Sequence, residues 1–218
     1  MKKLIAVIVL LLVAAGGFFG YQGYERSRQT ELFSEASVYF EEKDYQKAIQ
    51  IFEEAREHDN LFSGSLNEQF LYYQAEAYMN LGDYEEAVKI YNRFIGEKPK
   101  EARNYVLKGY CYSKAKEYDK AASVYEEAYE QTGEGEFLLN LCNMYIVTED
   151  YDKALSLIEQ NRDLKEEDTV RSLLFSEIVI YEKQQEYGLA YEKAKEFSET
   201  YPDDENGKKE MEFLESRQ

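Results

Sequence analysis

The chain has 218 residues, 44 acidic against 26 basic, for a formal net charge of −18. An acidic balance of that size excludes nucleic acid as a partner, because phosphate contacts need a basic stripe. Two cysteines, Cys111 and Cys142, exclude a disulfide framework and a four-ligand zinc site. The 21 Tyr and 12 Phe exclude a disordered chain, and two Pro with 12 Gly leave room for long helices.

In chain order, residues 1–3 form a short basic head with Lys2 and Lys3. An uncharged run follows from Leu4 to Gly20, 17 residues that span about 25 Å as a helix. Tyr21 and Tyr24 suit a headgroup belt, and Glu25, Arg26 and Arg28 end the run. Residues 4–24 are therefore expected to form one transmembrane signal anchor, and residues 25–30 a linker. The competing reading is a signal peptide cleaved after Val13-Ala14-Ala15, which gives a secreted or cell-surface module. Against it, Gly16-Gly17-Phe18-Phe19-Gly20 continues the apolar character where polar chain is the rule. The positive charges on the two sides are tied. The short head and the long acidic domain favour a single-pass membrane protein with its domain outside the cytoplasm.

From residue 31 onward one pattern dominates. Tyr-x5-Tyr-x2-Ala occurs five times, as Tyr39/Tyr45/Ala48, Tyr78/Tyr84/Ala87, Tyr112/Tyr118/Ala121, Tyr145/Tyr151/Ala154 and Tyr181/Tyr187/Ala190. Successive copies start 39, 34, 33 and 36 residues apart. Seven residues before each first Tyr stands Leu32, Leu71, Tyr105, Leu138 or Leu174. Three residues before it stands a small residue in four copies, Ala36, Ala75, Gly109 and Cys142. These positions share one helix face. Each copy thus predicts two short amphipathic helices joined by a tight turn, with small residues where the two cross. One such hairpin cannot bury its apolar face alone, so neighbours must stack.

The period, the Leu-small-x-x-Tyr core, the later Ala, and Pro99 and Pro202 closing two copies resemble the tetratricopeptide repeat family. The resemblance covers residues 29 to 204. It departs from the family pattern in lacking Trp, and in Ile178 and Ala194, which replace the small and the later aromatic residue of the fifth copy. It implies an all-α fold: a right-handed superhelix, or α-solenoid, of about five helix-turn-helix units over residues 31–202. The segment 203–218 is expected to form a capping helix, and one transmembrane helix to precede the solenoid. The chain is thereby similar to membrane-anchored, bacterial-type proteins of this class.

In that family the first helices of each pair line a concave groove that holds peptides or a partner's helix. Carried over by spacing, the inner wall comprises Phe33, Phe40, Tyr72, Glu76, Met79, Arg103, Tyr110, Lys114, Leu139, Asn143, Ile146 and Phe175. The mixture is aromatic with few charges, which suits short hydrophobic or aromatic segments. Members that clamp a terminal carboxylate need several cations in three adjacent repeats. Here Phe33, Ser37, Tyr73 and Leu107 occupy the matching positions beside Arg103, so that subtype does not fit.

Catalytic chemistry is not in view. The sole histidine, His58, reads as a solvated helix end, and no nucleophile-base or metal-ligand arrangement surrounds it. Asp203 to Gly207 fails as a calcium loop, since the first and twelfth ligand positions fall on Pro202 and Phe213. Cys142 fills a small-residue slot and reads as buried and inert. The expectation is a non-enzymatic scaffold without cofactor or metal, binding other proteins or peptides and the membrane.

Overall fold

A computed structural model describes the backbone of residues 2–61 and 63–217, and their side chains except at 2–6 and 9. Among the described residues there are eleven helices and no strand: α1 (Lys2–Glu41), α2 (Tyr45–Glu57), α3 (Gly64–Leu81), α4 (Tyr84–Glu97), α5 (Ala102–Lys114), α6 (Tyr118–Thr132), α7 (Glu136–Val147), α8 (Tyr151–Gln160), α9 (Glu167–Lys183), α10 (Tyr187–Thr200) and α11 (Glu205–Glu215). The fold is an all-α helical-repeat solenoid.

The repeated motif encodes the turn as much as the core. Each second Tyr is the first residue of a second helix, α2, α4, α6, α8 or α10. The residue just before it sends its N–H back to the carbonyl of the first Tyr, at 2.8–2.9 Å in all five copies. Between them stands a left-handed residue: Lys43, Gly82, Lys116, Glu149 and Gln185, with φ of 64°, 80°, 61°, 60° and 62°. This is a helix-ending motif that satisfies a carbonyl the helix would otherwise orphan. The five-residue gap is fixed by that geometry. The Ala of each motif closes the first bond of the second helix, and all five are fully buried. The motif tyrosines are only half-buried. Two of them keep their hydroxyls near the surface to bond the preceding hairpin, Tyr78 to Glu53 at 3.5 Å and Tyr145 to Glu126 at 2.7 Å.

The chain divides into two compact units, Met1–Tyr91 and Asn92–Gln218. In the first, α1 packs on α2 and α2 on α3 around Leu32, Ala36, Phe52 and Phe70. In the second, one cluster gathers Tyr105, Ala121, Tyr125 and Phe137. A second surrounds Cys142, Ala154 and Ile158, and a third surrounds Ile178, Ala194 and Phe197. Helix α11 packs on α10, with Leu214 fully buried and Asp204 accepting the N–H groups of Asn206 and Gly207 at its start.

The N-terminal segment departs from expectation. Residues 25–30 are not a linker, because α1 runs unbroken for 40 residues, about 60 Å, into the first repeat. Polar residues hold it there. Gln29 is fully buried; its amide donates to Asn67 (2.8 Å) and accepts from Ser63 (2.7 Å) and Asn60 (3.2 Å). Gln22 accepts the N–H of Leu61 at 2.9 Å. Glu25 meets Nδ1 of His58 at 2.6 Å. His58 is therefore no solvated helix end but a half-buried tie between the α2 terminus and α1. The basic head 1–3 and part of the expected span 4–24 fall on side chains outside those described. Among the described residues no helix is long and apolar enough to cross a membrane.

Candidate functional site

The first helices of the hairpins carry the sequence candidates, and each unit presents its own set. In the first unit, Phe33 and Phe40 lie on α1. Their rings do not stand free: Phe33 is 5.2 Å from Phe70 and 5.5 Å from Tyr73, and Phe40 is 5.3 Å from both Tyr73 and Tyr45. Edge-to-face packing of this kind binds α1 to α3. What α3 offers outward is Tyr73, which spacing did not single out, together with half-buried Tyr72 and exposed Glu76. Met79 is half-buried, and its sulfur accepts the Tyr91 hydroxyl at 3.3 Å.

In the second unit, Arg103, Tyr110 and Lys114 are exposed on α5. Tyr110 is 43% exposed, with the Lys114 ammonium 5.2 Å from its ring centroid. An aromatic ring paired with a cation at i and i+4 is a ready contact for a partner's aromatic or carboxylate group. On α7, Leu139 and Ile146 pack half-buried against the Cys142–Ile158 cluster and Asn143 stands exposed between them. On α9, Phe175 turns into the core, 5.6 Å from Phe197 of α10. Phe33, Phe40 and Phe175 pack against neighbouring helices, while Tyr110, Lys114, Arg103, Asn143 and Glu76 are exposed.

A cleft of about 460 Å³ lies on the second-helix side of this unit, between α6, α7 and α8. Glu126, Tyr129, Tyr145 and Lys153 line it. No sequence signal pointed there, because its walls come from two successive repeats. Burial, then the Glu126 carboxylate, pushes the Tyr145 phenol far above its ordinary range. Elsewhere, buried Glu177 sits between Arg162 at 2.7 Å and Lys193 at 3.5 Å. Losing either cation would leave a poorly compensated charge, so this cluster is structural.

The two thiols are free and buried. Desolvation pushes Cys111 up to about 12 and Cys142 up to about 11, so neither is a nucleophile near neutral pH. Among the described residues no group of His, Cys, Asp and Glu could hold a metal ion.

These features define a class of fold, the scaffold of stacked helical hairpins. The comparisons agree with that fold. A tetratricopeptide repeat model matches residues 32–57, the first hairpin. The model of anaphase-promoting complex, cyclosome, subunit 3 matches residues 58–128. A tetratricopeptide repeat protein from Parabacteroides merdae is 16% identical over 86% of this chain and 72% of its own, with a TM-score of 0.60. MamA from Desulfovibrio magneticus is 18% identical over 82% and 97%, with a TM-score of 0.54. YrrB, described as a tetratricopeptide protein with an unusual peptide-binding site, is 16% identical over 79% and 86%, with a TM-score of 0.50. At these identities the likeness is one of fold. No curated protein matches the chain. The fold is thus of the tetratricopeptide type, whose general use is protein interaction.

Proposed function

We propose that this protein is a membrane-tethered, non-catalytic scaffold that holds segments of partner proteins on the first-helix faces of its repeats. The observation that carries the tether is the surface of α1. Leu10, Leu11, Leu12 and Val13 are 64–70% exposed in succession, on every side of the helix. A rod apolar all round is not left in water; lipid is the environment that suits it. Tyr21 and Tyr24 follow at the depth of a headgroup belt. The apolar continuation Gly16-Gly17-Phe18-Phe19-Gly20 after the small-residue site favours the uncleaved anchor over the secreted alternative. The repeat domain is placed outside the cytoplasm in this reading.

For capture, the first helices offer exposed or half-buried Tyr72, Tyr73, Glu76 and Met79 in one unit and Arg103, Tyr110, Lys114, Asn143 and Ile146 in the other. They suit short segments with apolar or aromatic anchors, a use also suggested by the peptide-binding site in YrrB's description. The test is partner recovery from membranes with Tyr72→Ala and Tyr110→Ala. Recovery should weaken by about 1–4 kcal/mol per lost anchor while melting stays within about 0.5 kcal/mol. Recovery that survives both changes but collapses in salt would instead place binding on the acidic exterior.

A further inference from the structure

The α2–α3 loop carries a feature that neither the repeats nor capture explains. Leu61 is 67% exposed at the tip of an otherwise polar turn, Asp59-Asn60-Leu61. Its position is held from both ends of α1's polar stripe. Asn60 and Ser63 bond Gln29, while the Leu61 N–H bonds Gln22, seven residues nearer the apolar end. On a helix that offset is about 10 Å along the axis. The loop thus reaches down α1 and presents exposed Leu61 beside the last turn of the expected span, level with exposed Tyr21 and Tyr24.

We infer that Leu61 is a second membrane contact, a side chain that enters the headgroup–acyl boundary beside the anchor and fixes the tilt of the first repeat against the bilayer. The inference rests on the tether reading above. Its occupant is the lipid interface, because Leu61 is held to Gln22 on the same turn of α1 as the exposed Tyr21 and Tyr24, directly after the apolar run. A single anchoring helix leaves rotation and tilt free. A second apolar point held to the same helix by Gln22, Glu25 and Gln29 removes that freedom, so that the first repeat is held in one attitude to the membrane.

The test uses full-length protein reconstituted in phosphatidylethanolamine–phosphatidylglycerol vesicles. A polarity-sensitive fluorophore is attached in turn to Leu12→Cys, Leu61→Cys and Glu199→Cys; the native thiols are buried and stay unlabelled. Lipid bearing a nitroxide near the headgroup should quench the label at position 61 and shift its emission to the blue, leaving position 199 unaffected. A nitroxide deep in the acyl chain should quench position 12. Quenching at 12 without quenching or shift at 61 overturns the second contact and leaves the tether intact. No quenching at 12 removes the tether, and the inference with it.

Discussion

A Cβ added to Gly109 would sit 2.4 Å from Cε1 and Cζ of Tyr125, closer than any carbon contact tolerates. Helices α5 and α6 cross there, and the space a side chain would take is filled by the tyrosine ring, only 5% exposed. The same pair of positions recurs as Ala36 with Phe52, Ala75 with Tyr91 and Cys142 with Ile158. In the fifth hairpin the volumes are exchanged: Ile178 on α9 faces Ala194 on α10, both buried in one cluster. The departure from the family pattern is thus a compensated one.

From this, Gly109→Ala should destabilise the second unit by about 1–3 kcal/mol through overpacking. Tyr125→Ala alone should cost about 3–5 kcal/mol. Copying the fifth hairpin with Gly109→Ile and Tyr125→Ala together should cost less than the sum of the single changes by more than about 1 kcal/mol. Urea unfolding of the unaltered chain, Gly109→Ile, Tyr125→Ala and the double variant measures it; additive losses would show that the two positions do not share one space.

The left-handed turn residues make a second prediction. Lys116, Glu149 and Gln185 hold φ near 60°, which side chains with a Cβ resist. Each replaced by Gly should raise the unfolding midpoint, by about 0.5–1 kcal/mol per site. Gly82→Val should lower it. A loss of stability at Lys116→Gly would mean that unfolded-state entropy outweighs the strain.

The buried amide of Gln29 makes a third. Gln29→Leu leaves Asn60, Ser63 and Asn67 short of a partner, at a cost of about 1–3 kcal/mol, and should speed hydrogen exchange in α1 and the 58–63 loop above all. Glu25 adds a pH dependence. Hydrogen bonds from Tyr21 and His58 hold its carboxyl below the ordinary 4.5. A depressed carboxyl stabilises above the unfolded value and loses that contribution as pH falls through the folded one. Protection of the loop amides, corrected for intrinsic exchange, should therefore fall below pH about 4.5, and Glu25→Gln should abolish the change.

A polar stripe of this sort explains what was legible in the sequence and what was not. Tyr-x5-Tyr-x2-Ala is visible because it encodes contacts within one hairpin, down to the bond from Asp83 to Tyr78. Gln22 reads as the end of the expected span 4–24, and Glu25 and Gln29 as the linker 25–30. Their partners lie more than 30 residues on, and no local period announces them. His58 was misplaced for the same reason. At the site, spacing assigned Phe33, Phe40 and Phe175 to the inner wall, and the structure packs their rings on neighbouring helices. Their ring partners Tyr73 and Phe197 come from other helices, so their depth was not legible.

The C-terminal helix carries a pH response of opposite sign. Glu182 on α9 is raised from 4.5 to about 7, by burial first and then by Glu210 of α11. A raised carboxyl holds its proton better when folded, so stability grows as pH falls from above the folded value toward the unfolded one and shrinks as pH rises. Docking of α11 should therefore tighten as pH falls from about 8 to about 5. Glu210→Gln should flatten the response in a melting series. A melting point that falls over this range would contradict it.

The central claim is capture by the first helices at a membrane, and site-specific photo-crosslinking in cells tests it most directly. A photoreactive residue replaces Tyr110 on α5 in one strain and exposed Ser123 on α6 in another, followed by carbonate-washed membrane isolation. The account predicts discrete protein adducts from position 110, in the membrane pellet, with an intact N-terminus by mass. Adducts from 123 alone, or adducts on a soluble chain beginning near Gly16, would contradict it.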